Sequence, residues 1–82
     1  MNRRSSAESR KKILDAALII FTDYGYRGTS MRMIAGRAGI SVGGLYLYFA
    51  SKEELYLTML KHRFEDLFVQ LEEVASNVQD PV

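Results

Sequence analysis

Apolar residues recur at helical spacing in four successive blocks of this chain, and the pattern predicts four helices and no strands. Ile13, Leu14, Ala17, Leu18, Phe21 and Tyr24 make one stripe. Met31, Ile34, Ala35 and Ala38 make a second, and Leu45 and Phe49, at i and i+4, a third. Leu55, Met59, Leu60, Phe64, Leu67, Phe68, Leu71 and Val74 form a wide fourth face whose second half extends beyond what three short helices can cover.

Polar and glycine positions punctuate these blocks. Ser5 and Glu8 fit a capping box, in which the serine accepts from a first-turn amide and the glutamate reaches back. Gly25 suits a left-handed C-cap. Thr29 or Ser30 is placed to cap the second helix, and Gly39 supplies the positive φ needed to stop it and turn. Ser41 caps the third helix, expected over about 42–48. Ser51 and Glu54 repeat the capping box and open a helix running to roughly Ala75, which at about 1.5 Å per residue spans over about 30 Å. The polar segment from Ser76 to Val82, with its proline, reads as a linker or frayed end. Ala35 and Gly39 lie four apart, and Ser41 opens a new helix two residues later. That spacing is the pattern of a helix-turn-helix, a motif that lays its second helix in the DNA major groove.

The formal net charge of +1 hides a division. Residues 1–52 hold nine Lys/Arg against three acids, and residues 53–82 hold two against seven. A polyanion would meet the first part and avoid the second; helices that merely differ in surface charge are the competing reading. Eighty-two residues, 48% of them hydrophobic, make one small domain with a marginal core. Without cysteine there is neither a disulfide framework nor a thiolate metal site, which suits a reducing compartment. No apolar run approaches a membrane span. His62 is the only histidine, so a zinc site is not expected. No nucleophile–base–orienter set stands out, so neither catalysis nor a cofactor is expected.

Ile13, Ala16-Ala17, Phe21, Gly25, Tyr26 and Thr29, then IAGRAGIS at 34–41, LYLYF at 45–49 and SKEEL at 51–55, resemble the N-terminal domain of TetR-family transcriptional regulators over about residues 9 to 60. The resemblance implies an all-α fold: a homeodomain-like three-helix bundle with a helix-turn-helix, plus a long fourth linking helix. It implies a basic arm and cap over 1–8, a DNA-binding domain over 9–55, and a linking helix over 56–82 toward a ligand-binding and dimerisation domain. The expected protein is a sequence-specific cytoplasmic regulator, most often a repressor. It would work as a homodimer on a palindromic double-stranded operator and answer to a small-molecule inducer held by the C-terminal domain. Three positions depart from the family's habit: Met33 replaces a frequent acid, Val42-Gly43-Gly44 replaces a segment often carrying Lys and Thr or Ala, and Leu47 is usually more polar. Base readout then leans on few side chains.

Phosphates are met by helix N-termini, hydroxyls and cations. Thr29 and Ser30 sit at the positive end of the second helix, and Lys52 at that of the fourth. By the resemblance, Ser30, Tyr46, Tyr48 and Lys52 are phosphate contacts, with core packing as the alternative for the tyrosines and a solvated helix start for the lysine. Arg32 suits a bidentate contact to guanine, or a phosphate contact. Ser41 opens the reading helix, Val42 suits a thymine methyl, and Gly43 and Gly44 let backbone approach the DNA. Arg3, Arg4, Arg10, Lys11 and Lys12 read as a basic arm or a solvated tail. A different reading takes the apolar face of the fourth helix as a protein-interaction or dimerisation surface.

Overall fold

A computed structural model of the chain describes residues 6–78, with side chains described to residue 75. Its elements are α1 (Ser6–Tyr24), α2 (Met31–Ala38), α3 (Val42–Tyr46) and α4 (Lys52–Val78). Among the described residues there is no strand. Ser5, the expected first cap, lies outside the described residues, as do Arg3 and Arg4. The fourth helix continues to Val78, past the expected stop at Ala75.

The core forms where the stripes meet. Ile13, Leu14, Ala17 and Phe21 of α1 close on Ile34, Ala35 and Ala38 of α2, on Leu45 and Phe49, and on Leu55 and Met59 of α4. Alanine at 17, 35 and 38 lets the backbones approach. The packed region extends through Met59, with Tyr56 and Leu60 against it. Beyond it Phe64, Leu67, Phe68, Leu71 and Val74 are all exposed.

Tyr24 does not join the stripe; it is 58% exposed. Gly25, at φ 76°, turns the chain while its N–H donates to the Phe21 carbonyl at 2.8 Å. The turn brings the Tyr26 ring back over Phe21, centroids 5.9 Å apart, and edge-on to Tyr56 at 5.0 Å. Tyr26, itself exposed, thus lies over the Phe21 end of the core in place of Tyr24.

The α2–α3 turn follows the expected chemistry. The Ser30 hydroxyl oxygen accepts from the Met33 N–H at 3.1 Å. Gly39 adopts φ 76°, and the Ile40 N–H returns to the Ala35 carbonyl at 3.0 Å. A left-handed residue followed by such a return is a Schellman-type stop. In α3 the Ser41 hydroxyl oxygen accepts from the Gly44 N–H at 2.9 Å. The helix is five residues long, ending at Tyr46 and not at 48. The Leu47 and Tyr48 N–H groups donate to the carbonyls three residues back, Gly44 and Leu45, so the last turn tightens before Phe49 enters the core. At α4 the Ser51 hydroxyl oxygen accepts from the Glu54 N–H at 3.1 Å, while Glu54 accepts from the Ala50 N–H at 2.7 Å. The reciprocal bond therefore reaches one residue further back than a standard box.

Gly28 is a position that spacing alone did not mark. A Cβ there would collide with the Tyr24 carbonyl oxygen, a backbone atom that cannot swing aside. Gly28→Ala is expected to destabilise the domain by about 2 kcal/mol, as overpacking does. At ~4–8 °C per kcal/mol for a domain this small, thermal melting should show a drop of about 10 °C; an unchanged melt would mean the connection relaxes freely.

Candidate nucleic-acid interface

The residues singled out from sequence separate into three groups once their surroundings are known. Ser30, Arg32, Ser41, Gly43 and Tyr46 are exposed. Ser30 and Ser41 use their oxygens as helix caps, yet each hydroxyl keeps its hydrogen to donate outward. Tyr46 is 48% exposed and follows directly on Leu45, the one fully buried residue of α3. Val42, Gly44 and Tyr48 are half-buried, and Val42 and Tyr48 pack against the core. Tyr48 therefore combines the core and surface alternatives.

Thr29 stands apart from these. It is 3% exposed, and its hydroxyl donates to the Gly25 carbonyl at 2.7 Å, with the Ile20 carbonyl 3.3 Å away. Two adjacent hydroxyl residues both suited the cap. Ser30 takes it, and Thr29 turns inward to hold the α1–α2 connection, so its hydroxyl faces the chain's own carbonyls.

Lys52 also has internal work. Its Nζ donates to the Tyr26 carbonyl at 2.8 Å and to the Thr29 carbonyl at 3.0 Å, and lies 4.3 Å from the centroid of the Tyr26 ring. Two of the three ammonium hydrogens are thus committed to tying α4 to the α1–α2 connection. The charge and one hydrogen remain for a phosphate. The geometry makes Lys52 first a staple, and an incoming anion would meet a cation already fixed in place.

The basic arm is not an arm at 10–12. These residues lie inside α1. Arg10 places its guanidinium 5.0 Å from the Phe49 ring centroid, a cation–π contact, and Lys11 pairs with Asp15 at 3.1 Å on an exposed face. Arg37 is exposed in the last turn of α2. Away from this region, His62 Nε2 lies 3.7 Å from an Asp66 carboxylate oxygen on the α4 surface. Among the described residues no three of His, Cys, Asp and Glu group as a metal site would require. No helix among them is long and apolar enough to cross a membrane.

Two short helices joined at a left-handed glycine, the second with one inward residue and an open outer face, braced by a preceding and a following helix, define a helix-turn-helix domain of the three-helix type. The chain belongs to the TetR family of bacterial regulatory proteins, whose family model matches residues 13–59. It is 39% identical over 75 residues to the HTH-type transcriptional repressor KstR of Mycolicibacterium smegmatis, covering 92% of this chain and 37% of that protein. It is 48% identical over 61 residues to the HTH-type transcriptional regulator RutR of Escherichia coli, covering 72% of this chain and 29% of that protein. The crystal structure of a putative TetR-family transcriptional regulator from Mesorhizobium loti superposes with a TM-score of 0.92 at 30% identity, over 98% of this chain and 40% of that one. The chain therefore spans well under half the length of these relatives.

Proposed function

We infer that this chain is the DNA-binding head of a transcriptional regulator, with α3 entering the major groove of double-stranded DNA. The observation that carries the reading is α3 itself: a five-residue helix capped by Ser41, anchored by Leu45 and open to solvent along its far side. Ser30, Tyr46 and Tyr48 would supply hydroxyl donors for phosphates, Arg32 a fork for guanine or phosphate, and Lys52 a fixed cation, with Ser41 at the head of α3. Val42 offers apolar contact, and Gly43 and Gly44 allow close backbone approach. The DNA-binding unit is assigned to residues 9–55 and the linking helix to 56–82. In the whole protein, two heads would meet a palindromic operator in the cytoplasm. A C-terminal domain would dimerise and take a small-molecule inducer, and movement of α4 would reset the spacing of the heads. Repression is the sign favoured by the relative named a repressor.

Gly43→Glu tests this without disturbing the fold. Nothing lies within 4 Å of a Cβ at Gly43, and losing a helical glycine stabilises by roughly 0.5–1 kcal/mol. A carboxylate on the outer face of α3 would meet the polyanion directly, so affinity for duplexes selected from random DNA should fall at least about tenfold while the melting temperature holds or rises. Fluorescence anisotropy and a thermal melt read the two effects. Undiminished DNA binding by this variant would remove α3 from the interface.

A second reading has its own observation. Phe64, Leu67, Phe68 and Leu71 leave an apolar stripe on α4 exposed, and such stripes mark interaction surfaces. If that stripe is the main contact, Gly43→Glu leaves the association unchanged.

A further inference from the structure

Resting on the DNA-binding reading above, we propose that Leu47 is a specificity-determining residue that reads the 5-methyl group of thymine. Leu45 is fully buried and fixes the inward direction of α3. Leu47, the C-cap of α3, keeps right-handed dihedrals, φ −73° and ψ −21°, within the tightened last turn where its N–H donates to the Gly44 carbonyl. At ~100–120° per residue, Gly43 and Leu47 both lie on the side of α3 away from Leu45, roughly 120–160° around from it.

Gly43 has no side chain, and the space where its Cβ would stand is open. Leu47 is therefore the large apolar side chain that side presents, and at 86% it is the most exposed large hydrophobic among the described residues. Its neighbour Tyr46 is 48% exposed and flanks that side. Ser41 is tied by its oxygen to the Gly44 N–H. Between Gly43 and Leu47 the outer side of α3 thus offers bases no hydrogen-bonding side chain of its own.

A leucine offers bases no donor or acceptor. On the major-groove edges the one apolar feature is the thymine methyl, which distinguishes thymine from cytosine at the same position. The bare glycine a turn earlier removes the bulk that would hold the helix off the bases, so Leu47 can close on a methyl. Sugar contacts would also cover the leucine, but they carry no preference for sequence.

The test uses the 82-residue chain. Duplexes are selected from random DNA at low salt, and each dT of the preferred duplex is replaced in turn by deoxyuridine, which removes the methyl and nothing else. At one or two positions the replacement should weaken binding by about three- to tenfold, the scale of one buried methyl contact. Leu47→Ala, at an exposed site that leaves helix content unchanged, should lose affinity by a similar factor and become indifferent to those replacements. If no methyl matters, or if its removal costs Leu47→Ala as much as the natural chain, Leu47 does not read thymine, although the DNA-binding reading stands. If no duplex is enriched over random DNA, the DNA-binding reading fails and this inference with it.

Discussion

Phe49→Ala is expected to remove most of the domain's stability. Phe49 is 1% exposed and heads the largest fully buried side chains, with Ile13, Ile34, Leu45 and Leu55. It is the residue by which the end of α3 is bolted down: its N–H donates to the Leu45 carbonyl at 3.1 Å, and Arg10 covers its ring at 5.0 Å. Truncating a buried phenylalanine costs about 3–5 kcal/mol because the cavity closes only in part. Domains this small sit near the low end of the ~5–15 kcal/mol range, so one substitution removes most of the margin. Far-UV circular dichroism during a thermal melt should show a midpoint lowered by at least about 15 °C, or no cooperative transition at all. Phe64→Ala is the control, the same chemical change on an exposed face of α4. It should move stability by no more than about 0.5 kcal/mol. Similar melts for the two variants would contradict the placement of Phe49 at the centre of the core.

That contrast between two phenylalanines also marks what the sequence makes legible. Spacing of 3.6 residues picks out Ile13, Ala17 and Phe21, then Ile34, Ala35 and Ala38, then Leu45 and Phe49, because each set needs only its own helix to be recognised. Gly39 and the caps Ser41 and Ser51 are equally local: the acceptor and the amide it satisfies are three residues apart. The decisions that escaped depend on closure over longer stretches. Lys52 reaches a carbonyl 26 residues away, and nothing near Lys52 in the sequence announces that Tyr26 will be there. Thr29 and Ser30 have similar chemistry. Which of them turns inward depends on where Gly25 and Gly28 deliver the chain. Tyr26 rather than Tyr24 lies over Phe21 for the same reason, since a left-handed turn lies between them. In the candidate interface, exposed residue types were therefore legible, whereas those recruited to brace the α1–α2 connection were not.

DNA binding by this chain should weaken steeply with salt. The net charge of +1 would suggest little attraction, but the basic excess lies in residues 1–52 and the acids gather in residues 53–82. A duplex that met the first part and neutralised about six phosphates would release their counterions, giving a log–log slope near −5 and about a thousandfold loss between ~50 and ~200 mM salt. Lys52 contributes to this slope through a charge held in place by the Tyr26 and Thr29 carbonyls, so it gives up little conformational freedom on binding. The interaction-module reading predicts the opposite sign. Contact through Phe64, Leu67, Phe68 and Leu71 is apolar, insensitive to moderate salt and strengthened by excluded salts such as sulfate. A titration of duplex against the chain at several salt concentrations, beside sedimentation of the chain alone, therefore separates the two surfaces. Steep salt loss of the DNA complex with unchanged self-association assigns them to different ends of the molecule. A DNA complex indifferent to salt would not be the phosphate-guided encounter proposed for Ser30, Tyr46, Tyr48 and Lys52.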